Sequence, residues 1–88
     1  MVQFEFEPRW KEELVCSCAL GSFVLDMPMG VVSVYLPTKE HWQEVAPNWA
    51  IELWDALYQQ LQEWCEKKKI PLHLDATGYA GARLNLLN

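Results

Sequence analysis

The sequence predicts an α+β domain in two layers: an antiparallel sheet of four to five strands packed on one long amphipathic helix, in the order β-β-β-β-α-β. Three observations predict it. The first half of the chain alternates apolar and polar residues in short runs, punctuated by Pro8, Gly21, Pro28, Gly30 and Pro37. Between Ala46 and Lys69 the period becomes helical: Ala50, Leu53, Trp54, Leu57, Leu61, Trp64 and Cys65 recur at spacings of 3, 1, 3, 4, 3 and 1. Finally, 88 residues with 51% hydrophobic content make a single domain, 1–88, which buries only about 60–65% of its unfolded surface and so needs an efficient core.

Each element follows from local pattern. Val2, Phe4 and Phe6 alternate with Gln3, Glu5 and Glu7, a half-buried strand that Pro8 is expected to stop. Arg9–Glu13 is polar around Trp10, with room for a short helical turn. Leu14–Leu20 is a compact apolar run closed by Gly21-Ser22 and reads as a strand. In the next strand, Ser22–Met27, Phe23 and Leu25 share one face, and Val24 and Asp26 the other. Met27-Pro28-Met29-Gly30 is a tight turn, with proline pre-setting φ. Val31–Leu36, β-branched and aromatic, is the strongest strand pattern in the chain, and Pro37 ends it. Short turns between successive strands make an antiparallel meander.

Thr38 offers a hydroxyl cap for a short helix, Lys39–Val45, which Ala46-Pro47 breaks. Pro47 then suits the first position of the long helix, and Lys67, Lys68 and Lys69 close it where its dipole favours cations. Truncating Trp54 or Leu57 to alanine is expected to cost about 3–5 kcal/mol. Ile70–Asp75 alternates again as a strand that Pro71 confines to an edge. The tail, Ala76–Asn88, is irregular around Gly78 and Gly81 and ends on Leu84, Leu86 and Leu87, which leave room for a final short strand and need to dock.

Charge narrows the function. A net charge of −5 and a pI near 4.8 argue against a nucleic-acid partner; they are compatible with a basic protein partner and equally with mild acidity that only keeps the protein soluble. No apolar run reaches the roughly 18–20 residues of a membrane span, and the N-terminus lacks an uninterrupted apolar signal core, so a cytoplasmic protein is expected. Cys16, Cys18 and Cys65 are then free thiols. Cys16 and Cys18 point to one strand face and, with His73 or Cys65, could hold a soft metal. A C-x-C without a second pair is poor evidence for structural zinc, so core packing is the reading, with no metal and no cofactor assigned.

No catalytic residue is assigned. His41 and His73 stand beside no serine or cysteine in a nucleophile motif and read as surface residues. Gly78-Tyr79-Ala80-Gly81 resembles no phosphate loop and reads as a turn or a close backbone contact. Glu12 and Glu13, as neighbours, face apart on a strand. A non-enzymatic protein is expected.

The outer face of the long helix carries Glu52, Asp55, Gln59, Gln62, Glu63 and Glu66, while Trp49, Ile51 and Tyr58 lie off its apolar stripe. Five tryptophans in so short a chain point towards recognition, because indoles dominate many binding surfaces. Trp49, Glu52, Asp55, Tyr58 and Glu63 are therefore the expected partner contacts: aromatic anchors ringed by acids, suited to a basic partner.

The strand Val31–Pro37, the Trp42 after it, the helix begun by Pro47 and the strand Ile70–Leu74 together resemble the layout of small immunity proteins of bacterial toxin systems. That resemblance spans about half the chain, lies in the order of elements, and carries over no functional residue. It implies a small acidic cytoplasmic protein, monomeric or homodimeric, that masks the active site of a cognate toxin domain. The alternatives are a dimeric chaperone for a secreted effector and a small metal-binding protein or enzyme.

Overall fold

The computed structural model describes residues 2–9, 12–78 and 80–81. Its elements are strands β1 (Glu5–Arg9), β2 (Glu13–Cys18), β3 (Gly21–Asp26) and β4 (Val34–Pro37), helix α1 (Lys39–Val45), a 3-10 helix (Asn48–Leu53), helix α2 (Trp54–Lys68), and strands β5 (Leu72–Asp75) and β6 (Ala80–Gly81). The sheet runs β1-β2-β3-β4-β5, with β6 beside β3. This is the α+β architecture that the sequence predicts, with one sheet and a long helix.

β1 to β4 form the antiparallel meander, Glu5 opposite Ser17 and Leu14 opposite Leu25. β5 differs: it runs parallel to β4, Val34 opposite Leu72 and Leu36 opposite Leu74. The intervening helices carry the chain back to the starting end of β4, and a crossover of that kind yields a parallel neighbour.

Three boundaries move for identifiable reasons. Pro8 does not stop the first strand but lies inside β1 opposite Leu14, tolerated because β1 is a sheet edge where a missing N–H harms no ladder. Val31 and Val32 lie exposed in the turn before β4, since β3 meets β4 only from Asp26 opposite Tyr35. The long helix is split, so Pro47 caps the 3-10 segment and α2 starts at Trp54. Trp42 explains the split: its indole N–H donates to the Ala50 carbonyl at 2.9 Å, engaging an acceptor that a continuous α-helix would use.

α1 keeps its expected bounds, with Thr38 Oγ1 accepting from the His41 N–H. At the other end of α2, Lys69 adopts the left-handed conformation (φ 60°) normally given to glycine, and Ile70 N–H returns to the Cys65 carbonyl at 2.9 Å. That sharp stop turns the chain directly into β5.

The core lies between the layers. Phe4, Leu14, Cys16, Phe23, Leu25, Met27, Val34 and Leu36 from the sheet side meet Trp42, Ala50, Trp54, Leu57, Leu61 and Cys65 from the helical side. No helix among the described residues is long and apolar enough to cross a membrane. β6 forms at Ala80–Gly81, where the glycines predict irregular chain, and pairs with β3; Trp10 and the Leu84, Leu86 and Leu87 end of the tail lie outside the described residues.

Candidate functional site

The helix layer covers the two edges of the sheet unequally. On the β1 side, Trp64 lies over Phe6 with ring centroids 5.7 Å apart, and Lys68 Nζ sits 5.9 Å from the indole. Gln60 pins the chain before β1: its Nε2 donates to the Val2 carbonyl at 2.6 Å, and its Oε1 accepts from Phe4 N–H at 2.8 Å. That edge is sealed.

The β5 edge is not. Leu36 and Leu74 are register partners on the core face, yet Leu36 is fully buried and Leu74 is 47% exposed. α2 stops short of the last strand and leaves an open groove of about 450 Å³. Ile70, Pro71, Leu72 and Leu74 line it from the strand side, and Tyr58, Gln62, Cys65, Glu66 and Lys69 from α2. Tyr58 is fixed there by stacking on Trp54 at 4.9 Å, and Trp54 is itself tied by its indole N–H to the Pro37 carbonyl. His73 faces the other way and stacks on Tyr35 at 5.1 Å.

The groove mixes the apolar side chains of Ile70, Pro71, Leu72 and Leu74 with the polar ones of Gln62, Glu66 and Lys69. Burial pushes the Cys65 thiol up to about 11, so it stays protonated at neutral pH and is a poor nucleophile. Cys16 is also raised well above its ordinary value, by burial first and then by the nearby Cys65. Both thiols are free and buried, and Cys18 is half-buried beside the core. Among the described residues no group of three His, Cys, Asp or Glu side chains is placed to hold a metal.

The histidines brace the sheet instead of facing the groove. His41 Nε2 lies 3.0 Å from the Gly78 carbonyl, joining α1 to the turn after β5. Thr77 donates from its backbone and its hydroxyl to Asp75 Oδ1, and these bonds hold that carboxyl below its ordinary range, with His41 contributing less. Gly78 makes the close backbone approach expected from its position: a Cβ there would lie 3.1 Å from Pro37 Cα.

Of the residues expected to contact a partner, the structure brings Tyr58 into the groove. Trp49 is half-buried, 5.9 Å from Phe23 and packed over Gly21. Asp55 is exposed and pairs with Lys39 at 3.0 Å, and Glu52 and Glu63 are exposed on the helical layer. Sequence reasoning missed Leu72 and Leu74. Their signal was present: two leucines alternating on a strand already assigned to an edge by Pro71.

No protein-family model, no curated protein and no solved structure matches this chain.

Proposed function

We propose that this chain is a non-enzymatic protein-binding domain, acting as an immunity protein that neutralises a bacterial toxin domain by masking its active site. The observation that carries the reading is the half-exposed Leu74 on the core face of the sheet, beside Leu72 and the fixed ring of Tyr58. An apolar face that continues past its own covering helix is a surface that association completes. The indoles support the reading less than their number promises, because Trp42 and Trp54 are buried and Trp49 and Trp64 are engaged with Phe23 and Phe6.

Electrostatics favours a basic partner. Glu52, Asp55, Glu63 and Glu66 stand exposed along the helical layer, and the net charge of −5 would speed encounter with a cation-rich surface. A second reading, the dimeric chaperone of a secreted effector, gains from the edge of β5, which pairs on its outer side with no other strand among the described residues.

The test is recovery of the tagged chain from its native host, followed by assay of whatever co-purifies. The expected result is a stoichiometric partner whose toxic activity falls when the chain is added back. A partner held unfolded, with no activity to inhibit, supports the chaperone reading. Recovery of no stoichiometric partner would overturn both.

A further inference from the structure

We propose that a second copy of this chain covers the open edge: the two β5 strands pair antiparallel about a two-fold axis at His73. This rests on reading the α2–β5 corner as an association surface, and it names the occupant.

Backbone geometry sets the register. Val34 N–H donates to the Pro71 carbonyl at 3.0 Å, and Thr38 N–H donates to the Asp75 carbonyl at 3.2 Å. In a parallel ladder with Val34 opposite Leu72, the groups of residues 71, 73 and 75 therefore face β4. The N–H and C=O of Leu72 and Leu74 point away from the sheet, at an edge with no further strand among the described residues. One two-fold antiparallel arrangement satisfies all of them: Leu72 of each copy opposite Leu74 of the other, with His73 opposite its own counterpart.

Side chains favour the same arrangement. A two-fold axis perpendicular to the sheet keeps both α2 helices on one face, so Leu72 and Leu74 of the second copy lean into the groove beside Tyr58. The half-exposed Leu74 gains a cross-strand leucine. The rim of the groove carries one charge of each sign, Glu66 and Lys69, as a self-complementary wall should. A uniformly basic segment would be opposed there by Lys69, with Lys67 and Lys68 exposed immediately before it. A second copy fits the corner better, while Glu52, Asp55 and Glu63 stay available to a basic partner.

Sedimentation equilibrium of the full chain, from about 5 µM to about 500 µM, reads the association. The weight-average mass is expected to rise from one chain towards two, and Leu74→Lys to weaken the dimer at least tenfold by placing a cation in the seam. His73→Cys tests the register independently. Opposed residues at a non-hydrogen-bonded antiparallel position lie about 4.5 Å apart at Cα, within disulfide reach. In a Cys18→Ser background, diamide should convert His73→Cys to a disulfide-linked dimer, and adding Leu74→Lys should abolish the link. A chain of monomer mass throughout, or a dimer that leaves His73→Cys uncross-linked, would overturn the proposal. Monomer mass together with a captured, inhibited toxin would assign the groove to that partner instead, overturning this inference and leaving the proposed function intact.

Discussion

Trp54 donates its indole N–H to the Pro37 carbonyl at 2.9 Å, joining the first turn of α2 to the last residue of β4. Because Tyr58 stacks on Trp54, this bond also sets one wall of the groove. Trp54→Phe keeps most of the packing but leaves a buried carbonyl without its donor, a loss of about 1–3 kcal/mol. Trp54→Ala adds a cavity and should lose about 3–5 kcal/mol. A domain of 88 residues has only about 4–13 kcal/mol to lose. Urea unfolding should therefore find Trp54→Phe folded with a lowered midpoint, and Trp54→Ala with a midpoint lower still.

The clamp at Gln60 makes a separate prediction, since it holds the segment before β1 by one donor and one acceptor. Gln60→Ala should cost about 1–2 kcal/mol and accelerate hydrogen exchange at the Phe4 amide. Gln60→Glu retains an oxygen acceptor for Phe4 while losing the donor to Val2. Exchange at Phe4 should therefore stay slow in that variant and become fast in the alanine. Equal exchange in both would show that the amide is protected by something other than Gln60.

Much of this fold was legible because local chemistry decided it. Thr38 and Pro47 bracket α1 at its observed bounds, and the stripe Trp54, Leu57, Leu61 and Cys65 is the buried face of α2. What escaped was decided at long range. The 3-10 segment depends on Trp42 reaching the Ala50 carbonyl, and the seal over β1 depends on Gln60 meeting Val2 from 58 residues away. Tyr58 could be singled out as lying off the apolar stripe. The exposure of Leu74 could not, because it depends on where α2 comes to rest across the sheet. Val31 and Val32 misled for the opposite reason: strong strand propensity has no effect where no neighbour among the described residues offers a ladder.

Gly21 is a position that only glycine fits. Its φ of 153° is rarely adopted by other residues, and an added Cβ would lie 2.9 Å from Trp49 Cζ2. Gly21→Ala must strain the start of β3 or push the indole off Phe23, at about 2–4 kcal/mol. Displacing the indole should also change its fluorescence in the folded baseline. A Gly21→Ala chain with unchanged stability and spectrum would contradict the packing of Trp49 over this strand.

Buried thiols give the fold an alkaline limit. Burial raises Cys65 from an ordinary 9.0 to about 11, and Cys16 is also raised. In the unfolded chain both ionise near 9.0, so between there and the folded values the native state binds more protons than the unfolded state. Stability is then fully present below about pH 9 and falls as pH climbs towards 11. Cys65→Ala removes one of the two groups and also the charge that helps raise the other. Its urea midpoint should start lower at pH 8, since a buried side chain is truncated, but should fall less steeply between pH 9 and about 11 than that of the unmodified chain. Parallel curves for the two proteins over that window would mean that Cys65 ionises as readily in the folded chain as in the unfolded one.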